Sequence, residues 1–421
     1  MAVTQVTNLA GGPLHGLRVV EMASAIQGPA AGLFFANMGA DVVKVEPPLG
    51  DGSRRHRGAN NSLPREALGS QFIATNKGKR SVSVDIHTEL GQAVVHRLLS
   101  KADVFISNFR ATALERMGLA LGTLNDTYPQ LVIGHVSGFG PRGADADKAM
   151  LDGAAQARGG LASLSGHPNQ VPTPPGAAVA DHAGAMQLAL ACVTALVTRD
   201  RTGVGQLVQV SSLGAQLWLQ LWELQQSAIT DQPLSRDGPH LPNVRAPYGV
   251  YLSSDGVPVQ FVTAMSEESW TAFWLFVDMP EALLMTEWDT RGKRIGAVGS
   301  EDNLVEIREL MRLAIGSKTM AELAAFFQAQ PEIIWEQVRS HDEVLTDPQN
   351  VANDYIMDID LPIIGKTKTV GSLMSFSRTP TGEPSVPPDL GADTEIIMAE
   401  LGFGASEIGT LVGETKAQRE R

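Results

Sequence analysis

Residues 17–46 read LRVVEMASAIQGPAAGLFFANMGADVVKVE. The stretch begins and ends with β-branched segments, LRVVEM and DVVKVE, that are typical of strands. Between them, Pro29 lies where the first turn of a helix tolerates proline, and Gly39 lies where a helix can end. The order strand, helix, strand predicts the start of a parallel α/β sheet.

The same alternation continues over the first two hundred residues. The strand-like SVSVDI is followed by the helical ELGQAVVHRLLSKA and the strand-like DVFISNF. A short helix then leads through Tyr128 and Pro129 to the strand-like QLVIGHVS, and a long helix opens at Asp181, ends near Gly203 and precedes QLVQVS. Strands separated by helices predict an α/β fold with a doubly wound, Rossmann-like parallel sheet.

The middle of the chain has a different pattern. From Asn243, NVRAPYGVYLSSDGVPVQFVT predicts an antiparallel hairpin around Ser254, Asp255 and Gly256. MAELAAFFQAQ and IIWEQVR follow and are predicted to be helical, so a smaller α+β domain is inserted into the first. The linker-like TPTGEPSVPPDLGAD and the helical EIIMAELGF, with Gly402 as its stop, come near the C-terminus.

Composition restricts the classes of function. The 421 residues carry a net charge of −13, which argues against nucleic-acid and anionic-membrane partners. Cys192 is the only cysteine, so a disulfide framework is excluded, and its apolar surroundings favour a core residue over a catalytic thiol. We find no signal peptide and no apolar segment near the ~20 residues of a membrane span, so we expect a cytoplasmic protein.

Several motifs of other enzyme classes fail on inspection. Gly138, Gly140 and Gly143 fit G-x-G-x-x-G, but Pro141 and a polar run follow where a dinucleotide site needs a helix. The nine histidines include no H-x-x-x-H pair, and there is no G-x-S-x-G elbow or P-loop. We therefore predict no metal and no permanently bound cofactor.

Five segments in order carry a resemblance. HGLRVVEMASAIQGPAAGLFFANMGADVVKVEPPLGDGSR, NKGKRSVSVDIHTELG, ADVFISNFRATALERMG, LDGAAQARGGL and VADHAGAM resemble the class III CoA-transferase family, which includes formyl-CoA transferase, carnitine CoA-transferase and α-methylacyl-CoA racemase. The resemblance implies a discontinuous large domain and an interlocked homodimer. The expected boundaries are 1–212 for the first part of the large CoA-binding domain, 213–240 for a linker helix, 241–345 for the small domain, and 346–421 for a second linker and the return to the large domain.

The resemblance also implies site residues. The family's nucleophilic aspartate falls on Asp181, although an N-cap is the alternative interpretation of an acid before an apolar helix. Asp152 and Gln27 are expected to support the active site. His87 and Pro47 depart from the family, which frequently has a lysine at the first position and, in formyl-CoA transferase, an arginine at the second. The expected CoA-binding residues are Ile26, Gln27, Val84, Asp85, Ile86, His87, Asn108, Phe109, Arg110, Arg116, Ala149, Met150, Leu151 and Asp152.

The implied reaction moves CoA from an acyl-CoA donor, for which we expect succinyl-CoA, to a small carboxylic acid through aspartyl anhydride and aspartyl-CoA thioester intermediates on Asp181. One alternative is a racemase that uses Asp181 as acid–base, but the histidine of that mechanism falls on Leu151. Another is a non-catalytic CoA- or nucleotide-binding protein. The segment PHLPNVRAPYG lacks the glycine run of formyl-CoA transferase, which disfavours formate and oxalate. Arg245 within it is either a ligand for a second carboxylate or a surface residue.

Overall fold

A computed structural model describes residues 11–58, 61–244, 247–262, 264–295 and 304–420, so Arg245 lies outside the described residues. The chain forms two compact units. One unit contains the chain up to Gly159 together with Ala177–Leu219 and Leu345–Arg421, and the other contains Gly160–Gly176 and Gln220–Val344. The domain boundaries expected from the sequence stay predictions.

Strands and helices alternate along much of the chain. The strands are β1 Arg18–Met22, β2 Asp41–Glu46, β3 Arg80–Ser83, β4 Val104–Ser107, β5 Val132–Ser137, β6 Leu207–Ser211, β7 Gly249–Leu252, β8 Pro258–Phe261, β9 Trp335–Gln337, β10 Ile356–Leu361 and β11 Gly365–Val370. The α-helices are α1 Gln27–Asn37, α2 Ser70–Asn76, α3 Glu89–Leu99, α4 Ala111–Arg116, α5 Leu121–Thr127, α6 Asp152–Arg158, α7 Leu161–Leu164, α8 Val179–Thr202, α9 Ser212–Leu219, α10 Leu221–Thr230, α11 Glu267–Phe276, α12 Arg291–Arg294, α13 Leu304–Gly316, α14 Met320–Gln328, α15 His341–Thr346, α16 Pro348–Ala352, α17 Thr394–Glu400 and α18 Ala405–Arg419. Within the described residues, two 3₁₀ helices cover Gly52–Arg55 and Pro280–Leu284.

The first unit is built on a six-stranded parallel sheet with the order β3-β2-β1-β4-β5-β6. This confirms the predicted doubly wound sheet, and the order is that of dinucleotide-binding folds. The strand order reverses between β1 and β4, which pair through Val20 and Phe105. Ligands of such sheets bind at the carboxyl ends of the strands beside this switch point.

Both faces of the sheet are covered. On one face α1 and α8 pack in an apolar core that includes Phe35, Ile106 and the fully buried Cys192. The other face packs against α3 and the C-terminal helices through Val94, Leu98 and Ile397, for example. Burial on both faces explains why the strand segments are almost continuously apolar.

Helix α8 departs from one expectation. It has 24 residues and is long and apolar enough, by length and composition, to cross a membrane, so the expectation that no segment approaches that length is wrong. One side of the helix lies in the core through Leu188, Ala189 and Cys192. A core helix of a soluble protein passes the same test of length and composition.

The second unit contains a three-stranded sheet, β7-β8-β9. The predicted hairpin is confirmed, since β7 and β8 are antiparallel and Gly256 in their turn has a φ of 79°. The helix predicted for IIWEQVR is wrong. Instead β9 pairs with β8, Trp335 opposite Phe261, because Ile333 is buried and the residues after it alternate like a strand.

The segment Trp218-Leu219-Gln220-Leu221-Trp222, within the range 213–240 expected as a linker helix, includes the end of one helix and the start of another. Helix α9 ends at Leu219 and α10 begins at Leu221, while Gln220 has non-helical backbone angles. Trp218 and Trp222 are both more than half exposed, whereas Trp274 and Trp288 are buried in the core of the second unit.

The C-terminal residues return to the first unit and cover the edge strand β3. The carboxylate of Asp393 accepts a hydrogen bond from the Ser81 amide at 2.8 Å, and the hydroxyl of Thr394 accepts one from the Ser83 amide at 3.1 Å. Gln418 donates to the carboxylate of Asp85 just beyond β3. The exposed backbone of an edge strand is therefore paired with residues far along the chain.

Candidate active site

Asp181 lies in the first turn of α8, and its backbone is held by Asp152 at the start of α6. One carboxylate oxygen of Asp152 accepts hydrogen bonds from the amides of Ala180 and Asp181, at 2.7 Å and 3.0 Å. The N-cap residue of α8 is Ala178, which has no side chain that could cap. The N-cap interpretation of Asp181 is therefore wrong, and Asp152 performs the capping from another helix.

The electrostatics of the pair follow from this geometry. Burial, and then the charge of Asp152, raise the pKa of Asp181 to about 6. Among the described residues, no group donates a hydrogen bond to the side chain of Asp181. The carboxylate is thus partly buried, accepts no hydrogen bond from the described residues and is ionised above about pH 6, which suits a nucleophile.

Gln27 contacts the same helix. Its amide nitrogen donates to the hydroxyl of Ser212 at 2.8 Å, and both side chains are buried. A Cβ atom on Gly184, one turn after Asp181, would lie 2.0 Å from this nitrogen. Only glycine at position 184 therefore allows Gln27 to approach α8 in this way, and the structure brings together the predicted residues Gln27, Asp152 and Asp181 around one helix terminus.

The two loops at the switch point are tied to each other. The side chain of Asn108, which follows β4, accepts from the Ser24 amide at 3.0 Å and donates to the Ser24 carbonyl at 2.8 Å. The ring of His135 in β5 bonds the carbonyl of Phe109 at 2.8 Å, and burial lowers the pKa of His135, so the neutral ring is the donor. These contacts fix the backbone around Ile26, Asn108 and Phe109, where the sequence predicts CoA.

The other predicted CoA-binding residues differ in how exposed their side chains are. Val84 and Ile86 are buried in the core, so their side chains are not available to a ligand. Asp85 accepts from the His87 amide and from Gln418, and these bonds lower the pKa of Asp85. Exposed side chains in this set are His87, Arg110, Arg116, Ala149 and Leu151.

The segment that leads into α6 lies against the loop after β4. Thr112 of α4 donates to the Asp147 carboxylate at 2.9 Å, and Met150 packs against Gly138 at the end of β5. Leu151, where a racemase would need its histidine, is 80% exposed and carries no titratable group. The segment from Asp147 to Asp152 therefore connects α4 to the N-terminus of α8.

The glycine motif and Cys192, which the sequence analysis argued against as functional features, do not belong to this site. No helix opens on Gly138, Gly140 and Gly143, and the next helix begins at Asp152. Burial raises the pKa of the Cys192 thiol to about 12, so it is not a thiolate. A cavity of about 540 Å³ lies at the amino ends of β1, β2 and β3, the opposite end of the sheet from Asp181, and is lined partly by Arg18 and Arg80. The candidate active site is therefore identified by the chemistry of Asp181 and its neighbours and not by the size of a cavity.

Three residues of the site were not found from the sequence. Ser212 bonds Gln27, Gly184 makes room for it, and Gln156 donates to the second carboxylate oxygen of Asp152. Gln156 had a local signal, because Asp and Gln four residues apart meet on a helix. A glycine inside an apolar helix also indicates close packing, but neither signal names the partner.

A doubly wound sheet with a partly buried carboxylate near its switch point is typical of an α/β enzyme that binds its substrate at the carboxyl ends of the strands. Comparisons with known proteins specify the class. The sequence matches CoA-transferase family III over residues 14–394, and the chain belongs to that family. It is a class III CoA-transferase.

Individual relatives agree with this assignment. A succinyl-CoA–D-citramalate CoA-transferase of Chloroflexus aurantiacus is 29% identical over 389 residues, which cover 92% of this chain and 94% of the relative. A succinate–glutarate CoA-transferase of Agrobacterium fabrum is 37% identical over 247 residues, 58% of this chain and 62% of the relative. The crystal structure of a CaiB/BaiF family protein from Brucella suis has a TM-score of 0.80 and 28% identity, and covers 93% of this chain and 100% of that chain.

Proposed function

We propose that the protein transfers CoA from succinyl-CoA to a small carboxylic acid through covalent intermediates on Asp181. The observation that carries the proposal is the carboxylate of Asp181, which is desolvated, has no donor among the described residues, and lies on a backbone fixed by Asp152. A carboxylate in this condition gives up little hydrogen bonding when it attacks.

Each step of the proposed reaction balances without an outside reagent. A carboxylate oxygen of Asp181 attacks the thioester carbonyl of succinyl-CoA, so a mixed anhydride forms and the CoA thiolate leaves. The thiolate attacks the aspartyl carbonyl of the anhydride, which gives an aspartyl-CoA thioester and releases succinate. The acceptor carboxylate then reverses both steps, and Asp181 is regenerated as the carboxylate.

The backbone offers donors for the negative charge that develops on the attacked carbonyl oxygens. The amides of Ala180 and Asp181 are already used by Asp152. The first amides of α1, at Gln27 and Gly28, have no partner within their own helix. We therefore assign the anion-binding role to the start of α1, for either an oxyanion or a CoA phosphate.

The substrate part of the proposal rests on the relatives. Succinyl-CoA or succinate occurs in the names of the Chloroflexus and Agrobacterium enzymes, and both of those names include a dicarboxylic acid. We accordingly propose succinyl-CoA as the donor and a carboxylic acid as the acceptor. The interlocked homodimer and the cytoplasmic location stay predictions.

Trapping of the acyl-enzyme tests the mechanism. The protein is incubated with succinyl-CoA and hydroxylamine, which converts an activated aspartyl group to its hydroxamate, and peptides are mapped by mass spectrometry. We expect the hydroxamate on Asp181 and only when acyl-CoA is present. Asp200→Asn, which changes an exposed aspartate near the far end of α8, should be labelled like the wild type.

The contrary result is equally clear. If succinyl-, glutaryl- and acetyl-CoA all leave Asp181 unmodified while the α-protons of an acyl-CoA exchange in deuterated water, the covalent mechanism is wrong and Asp181 acts as an acid–base group.

A further inference from the structure

Three buried charged side chains meet beneath the loop that joins β1 to α1. Lys44 of β2 and Lys79, just before β3, donate to different oxygens of Glu21 in β1, at 2.8 Å and 2.6 Å. Lys44 and Glu21 have no exposed surface, and Lys79 is 5% exposed. We call Lys44, Glu21 and Lys79 the lysine–glutamate clasp.

Each ammonium group of the clasp also bonds one end of the loop. Lys44 donates to the carbonyl of Ala23 at 2.8 Å, and Lys79 donates to the carbonyl of Pro29 at 2.8 Å. Because both lysines share Glu21, the two ends of the segment 23–29 are connected through a single carboxylate. Gly32 permits this arrangement, since a Cβ there would lie 1.9 Å from an oxygen of Glu21.

The loop between these two points is strained. Ala25 has a φ of 65°, in the left-handed region that an alanine adopts at an energetic cost. Its amide approaches Asp51 at 3.4 Å, and Asp51 forms an ion pair with Lys44 at 3.1 Å. Such a conformation persists only where the surroundings determine it, and here the surroundings are the clasp, Asp51 and the side chain of Asn108, which bonds Ser24.

The strained loop leads directly into the residues that face the active site. Gln27 follows Ala25 by two residues, opens α1 and contacts α8 at Gly184, one turn from Asp181. A shift in the loop would move Gln27 and the first amides of α1 relative to Asp181.

Stability alone does not account for the clasp. Ion pairs buried this deeply lose much of their attraction to desolvation, and apolar side chains of similar volume commonly serve the fold as well or better. Apolar side chains could not bond the carbonyls of Ala23 and Pro29. The contacts to these two carbonyls are what the charged residues add.

We propose that Lys44, Glu21 and Lys79 are positioning residues that hold the loop 23–29, and through it Gln27, in the conformation needed for CoA transfer. The inference deepens the proposed function and rests on it. It adds to that function the reason why β1 and β2 carry charged residues in the buried centre of a sheet.

The test is a charge-balanced double variant, Lys44→Met together with Asp51→Asn. The double variant removes the ammonium group of Lys44 and the carboxylate of Asp51, which is the second ion-pair partner of Lys44. Glu21 stays paired with Lys79, and the new asparagine side chain keeps an oxygen that can accept from the Ala25 amide. The control is Val42→Ala, which weakens the same strand on the face packed with Ala31 and Phe35 but has no contact with the loop carbonyls. Hydrogen exchange of peptides that cover residues 23–30 and steady-state kinetics with succinyl-CoA are measured for both.

For the double variant we expect exchange in residues 24–28 to become about tenfold faster. We also expect kcat/KM to fall about a hundredfold, since small displacements of reacting groups have effects of that size. Val42→Ala should show neither effect, although its melting temperature falls. Unchanged exchange in residues 24–28 would overturn the positioning role, and faster exchange with unchanged kcat/KM would overturn its connection to the reaction. Neither result depends on the hydroxamate assay, so the two proposals can fail separately.

A second variant covers the case in which the double variant does not fold. Burial lowers the pKa of Lys79 to about 8, and Glu21 keeps its bond to Lys44 when Lys79 is replaced. Of the two loop carbonyls, Lys79→Met releases only that of Pro29, and it also removes the bonds from Lys79 to Glu21 and Asn76. Faster exchange in the first turn of α1 with a lower kcat/KM supports the proposal, and wild-type values of both refute it.

Discussion

The carboxylate of Asp152 accepts a hydrogen bond from the backbone amide of Asp181 at 3.0 Å, and its charge helps to raise the pKa of the Asp181 side chain to about 6. Asp152 therefore stabilises the N-terminus of α8 and at the same time destabilises the ionised form of the Asp181 side chain. These two effects can be separated experimentally, because one depends on an oxygen atom and the other on a charge.

The first prediction concerns the pH dependence of the half-reaction that releases succinate. Because Asp181 must be ionised to attack, the single-turnover release of succinate should rise with pH with an apparent pKa of about 6. Asp152→Asn keeps an acceptor oxygen for the two amides but removes the charge, so the apparent pKa should fall. It should stay above 3.8, because burial is the larger cause of the shift. Rapid-quench measurements from pH 4.5 to about 8 would check both values, and an unchanged profile in the variant would contradict the coupling.

The second prediction concerns stability. The folded state raises the pKa of Asp181 above its unfolded value of 3.8, so the ionised carboxylate opposes folding above about pH 6. Asp181→Asn should therefore increase the free energy of unfolding at pH 7.5 by about 1–2 kcal/mol, after allowance for solvent screening. The gain should shrink as the pH falls through 6 towards 4. Urea unfolding at several pH values measures this gain in the free energy of unfolding. A variant less stable than the wild type at pH 7.5 would show that the ionised carboxylate of Asp181 does not oppose folding.

The third prediction concerns Gly184. In Gly184→Ala the new methyl group would displace Gln27, whose nitrogen lies 2.0 Å from its position. The higher helix propensity of alanine offsets the lost hydrogen bond to Ser212, so we expect a melting temperature near that of the wild type. CoA transfer should fall about tenfold to a hundredfold.

The matched control for Gly184 is Gly409→Ala on the exposed face of α18, where a Cβ has nothing within 4 Å. It should stabilise the protein by about 0.5–1 kcal/mol and leave the kinetics unchanged. Equal activity in the two variants would show that Gln27 has no part in the reaction.

The fourth prediction concerns Asn108. In Asn108→Asp one oxygen still accepts from the Ser24 amide, but the donor to the Ser24 carbonyl becomes a second oxygen, which the carbonyl repels. We expect a loss of about 1–3 kcal/mol in stability and a higher KM for acyl-CoA, because the two loops of the switch point separate. Asn169→Asp, at an exposed position in the second unit, serves as the control for the same chemical change. A KM equal to that of the wild type would contradict the proposed place of CoA.

Local patterns in the sequence were enough to predict the sheet. The segment with Val19, Val20 and Met22 repeats the strand pattern of the one with Val42, Val43 and Val45, and the helix between them ends before Gly39, so β1, α1 and β2 lie where expected. Outside that sheet β9 was mistaken for a helix, because the pairing of Trp335 with Phe261 sets its conformation rather than its own helix-like composition, and β10 and β11 were not predicted.

The site could be predicted only in part. Resemblance indicated Asp181, Gln27 and Asp152, and local spacing indicated where the strands carrying the loops end. The capping of α8 by Asp152 joins residues 29 apart, and the bond from Gln27 to Ser212 joins residues 185 apart. Contacts over such distances follow from the packing of whole helices, so no short window of sequence contains them. The lysine–glutamate clasp could not be predicted for the same reason, since Lys44 lies beside Glu21 only after β1 and β2 have paired.

The pairing of β3 with the C-terminal segment has a consequence for synthesis on the ribosome. The Ser81 amide bonds a residue 312 positions later, and translation at about 5–20 residues per second separates the two by about 15–60 s. During that interval the growing chain can form most of the large sheet, but one edge of it has no partner. We expect newly made protein to be most prone to aggregation, and most dependent on chaperones, just before Asp393 and Thr394 emerge.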